Sequence, residues 1–134
     1  MQLILRTDPF NQYCIDCKQN LADHANLTFG TFICESCALS HQTFVGFFLS
    51  ENIKAIKEDT HWEEEDVRRY INGKGGNKAF LDFLTQFKLE SASLQDKYKS
   101  YPAQYYMHRL DCEIKGVDFT DMSYPYGDIR DKVN

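Results

Sequence analysis

The sequence predicts a small α+β domain, mostly helical, organised by a four-cysteine zinc finger. Three observations carry this. Four of the five cysteines form two Cys-x-x-Cys pairs, Cys14 with Cys17 and Cys34 with Cys37. A β-branched and aromatic run, Leu27 to Ile33, lies between the pairs. Helical spacing and helix-capping residues dominate from about Thr60 onward.

Residues 10–37 hold the two knuckles. Zinc at structural sites prefers a closed tetrahedron of thiolates, and two residues between paired cysteines let one tight turn present both sulfurs to one ion. The loop of residues 18–33 brings the second pair back to complete the shell. Sulfur takes all four positions, so no position is open to water or substrate, and the predicted ion is structural. Such a site supplies on the order of 10 kcal/mol to folding. His24 and His41 are rival ligands by type. With the four-cysteine set complete, they read as packed or hydrogen-bonding histidines. A redox reading of one Cys-x-x-Cys pair needs a βαβ context that the sequence lacks.

Leu27 to Ile33 reads as a short strand or ribbon leading into the second knuckle. From Cys37 to about Phe48 the chain reads as helical, with Gly46 weakening the end. Phe44, Phe47 and Phe48 are expected to place at least two rings in the core. The next helix is predicted from near Thr60, with Thr60 and Glu63 as its capping box. Its acidic start, Glu63 to Asp66, and basic end, Arg68 and Arg69, match the helix dipole. Asn72-Gly73 should stop it, and Gly75-Gly76 reads as a turn. Residues 77–86 place Ala79, Phe80, Phe83, Leu84 and, just beyond, Phe87 on one face. Ser93 and Asp96 suggest another cap, and Pro102 can open a last helix that carries Tyr105, Tyr106 and Leu110 on one side. The domain is expected to occupy residues 1–112, followed by an extended Asp- and Tyr-rich tail, residues 113–134, with turns at Tyr124-Pro125-Tyr126-Gly127.

The composition sets the remaining limits. The chain has 134 residues, 43% hydrophobic and 14% aromatic, which suits one domain with a modest core. A net charge of -5 argues against nucleic acid as a partner. No apolar run is long enough to span a bilayer, and no secretory or transit segment is visible, so the expected location is intracellular, cytoplasmic by default, with an organellar accessory subunit also open. Cys112 stands apart as a free thiol, the pattern of a reducing compartment. Asp111, Asp118, Asp121, Asp128 and Asp131 lack EF-hand spacing and read as a solvated acidic tail.

Asn11, Cys14-Ile-Asp-Cys17, Gly30-Thr-Phe32-Ile-Cys34, Glu-Ser-Cys37 and His41, then Trp62, Val67, Tyr70, Gly75-Gly76-Asn77-Lys78-Ala79, Asp96 to Ser100 and Tyr105-Tyr106 through Leu110 together resemble the ArfGAP domain. That is the zinc-dependent module that activates the GTPase of Arf-type small G proteins. The similarity covers roughly residues 3–112. It implies a short three-stranded sheet beside the zinc, surrounded by about five helices.

The departures from the family pattern change the functional expectation. The family's histidine is kept as His41, but the arginine that should follow it is Gln42. In the family that arginine enters beside the nucleotide, where a fixed positive charge stabilises the γ-phosphoryl group in the transition state. Lys54 falls near a second basic family position. His24 replaces a tryptophan usual between the knuckles, and Thr43 to Phe48 is one residue longer and more aromatic than its family counterpart. The resemblance with these departures implies a domain that keeps scaffold and zinc, is not an enzyme, and serves as a structural or protein-interaction module, an accessory subunit of a large multi-subunit assembly. The alternative is an active GTPase-activating protein for Arf-type G proteins in membrane traffic.

Overall fold

The computed structural model describes residues 1–71 and 74–119. The chain opens with helix α1 (Gln2–Thr7) and a 3₁₀ turn (Pro9–Asn11). The Asp8 side chain caps that turn by accepting from the Phe10 N–H, and Pro9 occupies a first-turn position where its missing N–H does no harm.

Strands β1 (His24–Asn26) and β2 (Thr31–Ile33) pair antiparallel, with Ala25 opposite Phe32. Strand β3 (Ile53–Ala55) pairs with the other edge of β1, giving the order β2-β1-β3. The run Leu27 to Ile33 is therefore not one strand. Its first four residues form the hairpin loop, where Gly30 has φ +64°. Leu27 and Phe29 mimic strand residues in sequence because the loop itself is buried.

After the sheet's second strand come α2 (Glu35–Ser40), a π-helical turn (His41–Val45) and α3 (Phe47–Ser50). Gly46, at φ +104°, separates the last two, as its place in the helical run suggested. Helix α4 (Glu64–Arg68) begins later than predicted. Its capping box is formed by Glu63 and Asp66, and the Glu63 N–H donates to Asp66 Oδ2 at 2.9 Å. Thr60 is not the cap. Its hydroxyl donates to the Ala55 carbonyl and accepts from the Lys57 N–H, so it closes the turn after β3. Thr60 is the better N-cap by type, but the turn after β3 uses its hydroxyl, and the helix starts from Glu63 instead. The predicted stop at Asn72-Gly73 lies outside the described residues.

Helices α5 (Asn77–Thr85), α6 (Leu94–Lys99) and α7 (Tyr101–Lys115) follow. Ser93 and Ser100 cap α6 and α7, and Pro102 sits in the first turn of α7. The described residues thus hold seven α-helices where about five were implied, and α1 and α3 are short pieces of six and four residues. Helix α7 runs through Lys115, past the expected boundary at residue 112. Residues 120–134, where turns were expected at Tyr124 to Gly127, lie outside the described residues.

Alternation along β2 divides the core. Ile33 faces a large cluster built on Phe29, Phe80, Tyr98, Tyr106 and Leu110, while Phe32 faces a smaller one with Ala25, Leu27 and Tyr70. The rings of Phe29 and Tyr98 meet edge-on at 4.9 Å, and Phe32 stacks on Tyr70 at 4.4 Å. Each fully buried ring of this kind contributes about 1.5–3 kcal/mol through removal from water. The large cluster includes Cys14 and Cys34, so the zinc knuckles are built directly onto the core.

Candidate functional site

The first knuckle is anchored to the sheet by its backbone. The Ile15 N–H donates to the Phe32 carbonyl at 3.1 Å, and the Cys14 N–H to the Asn20 carbonyl at 2.8 Å. In the second knuckle Cys34 is the N-cap of α2, and its Sγ accepts from the Cys37 N–H at 3.4 Å. These two anchors bring Cys14, Cys17, Cys34 and Cys37 together, with all four sulfurs within 4.8 Å of one another. The Sγ atoms of Cys17 and Cys34 are 3.9 Å apart. A tetrahedron with zinc–sulfur bonds of about 2.3 Å has edges of about 3.8 Å, so the spacing fits one zinc ion.

The chemistry of the donor set agrees. All the cysteines are free thiols. Without a cation, burial pushes the Cys14 thiol up to about 11 and Cys37 higher still. Cys17 is also desolvated, but N–H bonds from Asn20 and Gln19 and its neighbours Cys14 and Cys34 bring it down to about 7. Four clustered thiols cannot all ionise unless a dication offsets their charge, which zinc does. Asn20 supports the shell through its N–H to Cys17 Sγ and its Nδ2 to Cys34 Sγ, each at 3.5 Å.

Neither histidine joins the cluster. His24 Nδ1 lies 2.8 Å from Asp23 Oδ1. His41 is fully buried, and its Nε2 donates to Asp16 Oδ2 at 2.7 Å. The other oxygen of Asp16 accepts from the Tyr98 hydroxyl at 2.6 Å, and buried Lys97 places Nζ 3.8 Å from it. Sequence reasoning missed this network. An aspartate enclosed by paired cysteines was the available signal, because it must be buried with the knuckle and therefore needs partners.

His41 begins the π-helical turn, and Gln42, its next residue, is exposed. The turn buries His41 and Val45, so the residues between them face outward. The expectation that at least two of Phe44, Phe47 and Phe48 belong to the core is not met: they are 56%, 76% and 86% exposed. The π-turn and Gly46 break the regular helical phase that would have turned the aromatic stripe inward.

Lys54 is held in place on β3. Its ammonium lies 5.6 Å from the Trp62 ring centroid and 3.4 Å from Asp66 Oδ2. Cys112 is buried, with Sγ 3.3 Å from His108 Nε2. Of the five aspartates considered for calcium, Asp111 pairs with Arg69 and Lys115, and Asp121, Asp128 and Asp131 lie outside the described residues. Among the described residues, no helix is long and apolar enough to cross a membrane.

The ArfGap family, described as "Putative GTPase activating protein for Arf", matches residues 1–115. ADP-ribosylation factor GTPase-activating protein 3 of Bos taurus is 32% identical over 106 residues, which are 79% of this chain and 20% of the relative. The protein of the same name from Mus musculus is 30% identical over the same length. The chain thus spans about a fifth of the length of the curated relatives it matches. A crystal structure of a putative GTPase activating protein for ADP ribosylation factor from Cryptosporidium parvum aligns with TM-score 0.63 and 28% identity, covering 84% of this chain and 86% of that one. The ArfGap domain of HIV-1 Rev binding protein shares the fold, with TM-score 0.50 and 22% identity over 87% of this chain and 86% of that one.

These matches correct one expectation. The chain was expected not to be an enzyme because Gln42 stands where the arginine should be. The family description and the names of the relatives both point to GTPase-activating proteins, so the expectation of a non-enzyme is not upheld. The chain belongs to the ArfGap family.

Proposed function

We propose that this chain binds an Arf-type GTPase through the face that carries Gln42, Phe44, Phe47 and Phe48, and accelerates hydrolysis of the bound GTP. The observation that carries this reading is the position of Gln42. It is an exposed residue on a turn whose first residue is bonded to the zinc knuckle. As negative charge redistributes over the γ-phosphoryl oxygens, a carboxamide N–H can donate to one of them or orient the attacking water. It has no charge, so the acceleration is smaller than the roughly 10³–10⁵ that an arginine finger supplies. The exposed phenylalanines supply apolar area for docking.

Single-turnover GTP hydrolysis by an Arf-type protein, with and without saturating chain, tests the reading. Acceleration that is reduced by Gln42→Ala and raised by Gln42→Arg supports it. No acceleration by the wild type or by Gln42→Arg contradicts it.

A second reading rests on the aromatic surface: the domain is a protein-interaction module that uses Phe44, Phe47 and Phe48 to hold a partner in a larger assembly. It predicts a stable complex whose affinity is lost in Phe47→Asp and is indifferent to the nucleotide state of any G protein. A complex that requires the GTP-bound state favours the first reading.

A further inference from the structure

We propose that Asp16 is the positioning residue for Gln42, connecting the zinc knuckle to the turn that faces the GTPase. The inference rests on the activating function proposed above. Asp16 lies between two cysteines of the first knuckle, so its backbone is fixed by the metal site and by the Ile15 bond to β2. Its side chain is only 3% exposed and spans two elements. One oxygen takes the His41 Nε2–H at 2.7 Å, and the other takes the Tyr98 hydroxyl at 2.6 Å. The His41 and Tyr98 rings also meet at 4.5 Å, which clamps the imidazole from its side.

The residue held in this way starts the π-helical turn. The widened turn is closed by the Gly46 N–H donating to the His41 carbonyl at 3.0 Å. Gln42 lies inside that loop and is itself exposed, so its backbone is set by His41 on one side and by the Gly46 bond on the other. A π-turn is less favourable than a continued α-helix and persists where the surroundings enforce it. Here the enforcing groups are Asp16 and Tyr98. Without that anchor the start of the turn that carries Gln42 is no longer fixed against the zinc knuckle.

The test uses Asp16→Asn in the full chain, with zinc content measured first. At about one zinc per chain, hydrogen exchange of the Gly46 amide is expected to be about tenfold faster than in the wild type, because the turn opens locally. Exchange unchanged within about twofold overturns the proposal. Should Asp16→Asn lose its zinc, Tyr98→Phe leaves every knuckle residue in place and removes one of the two bonds. Its expected increase is about threefold, and no increase again overturns the proposal.

A kinetic cycle separates positioning from general support. Asp16→Asn should lower the saturating single-turnover rate about tenfold while leaving the half-saturating concentration within about twofold, because misplacement of a group affects the transition state. In a Gln42→Ala background the same change should have no further effect on the rate. Independent, multiplying effects of the two substitutions contradict positioning. If the wild type gives no acceleration, the functional reading fails by itself, and the Gly46 exchange still decides whether Asp16 holds the turn.

Discussion

The backbone N–H of Asn77 donates to Asn11 Oδ1 at 2.9 Å, a bond between the start of α5 and the 3₁₀ turn 66 residues earlier. The Asn77 side chain then spreads across the gap. Its Oδ1 accepts from the Phe32 N–H at 2.7 Å, and its Nδ2 reaches the carbonyls of Phe10, Tyr13 and Phe32 at 3.0–3.2 Å. One buried amide therefore satisfies backbone groups from β2 and from the segment leading into the first knuckle. Gly76, at φ +106°, delivers the chain into this position.

Asn77→Ala leaves the buried Phe32 N–H without its partner and removes the amide's bonds to the carbonyls of Phe10 and Tyr13, while the Phe32 carbonyl keeps the Ile15 N–H. An unsatisfied buried group is more costly than the mean hydrogen bond suggests. The expected loss is about 2–4 kcal/mol of stability, measured as a shift in urea midpoint at constant slope. A loss below about 1 kcal/mol would mean that the amide is not the joint described here.

Removing the metal should unfold the domain. Prolonged chelation is expected to abolish cooperative thermal unfolding, and zinc added back in slight excess to restore it. Cys34→Ser should behave as the chelated protein does, because one of the four sulfurs of the shell is lost even though a serine can still cap α2. A sharp, unchanged melt after complete metal removal would contradict a structural role for the ion.

Gly75 has no room for a side chain: a Cβ there would lie 1.9 Å from the Arg69 carbonyl oxygen. Backbone cannot yield as a flexible side-chain tip does. Gly75→Ala is therefore expected to cost about 2 kcal/mol or more, read from denaturant unfolding. Gly46→Ala meets no atom within 4 Å and should be limited to the strain of its φ of +104°. Equal stability of the two variants would show that the contact at Gly75 is relieved elsewhere.

The ion pair of Asp111 with Arg69 joins α7 to the end of α4 at 2.9 Å. Burial alone would raise the Asp111 carboxyl, but hydrogen bonds from Arg69 and Lys115 outweigh it and hold the group below the ordinary carboxylate value. A depressed folded-state value stabilises the fold above the ordinary carboxylate pKa, and that contribution disappears as pH falls through the depressed value. The side chain is about one-third exposed, so solvent screening limits the effect to about 1 kcal/mol or less. Asp111→Asn should be slightly less stable than wild type at pH 7 and indistinguishable from it near the bottom of the acid range. A difference that grows on acidification has the wrong sign for this account.

The zinc cluster was legible because four side chains of one type at fixed spacing leave little else to do. Helix α5 was legible because Phe80 and Leu84 repeat with the helical period and are buried as that period requires. The start of α4 was not, because Thr60 is the better cap by local type, and only the turn after β3, which takes its hydroxyl, moves the start to Glu63. The outward rings of Phe44, Phe47 and Phe48 were hidden for a related reason: a π-turn changes which residues share a face and leaves no periodic mark. Asp16 and Tyr98 are 82 residues apart, and no local pattern joins them.

The most direct measurement of the central claim is single-turnover hydrolysis of GTP on an Arf-type protein across a concentration series of this chain, in parallel for wild type, Gln42→Ala and Gln42→Arg. The account predicts acceleration by the wild type, about tenfold or more loss of it with Gln42→Ala, and a gain with Gln42→Arg toward the roughly 10³–10⁵ of an arginine finger. Phe47→Asp should raise the half-saturating concentration in all three. Identical flat responses for the wild type and Gln42→Arg, with zinc bound and the fold intact, would contradict it.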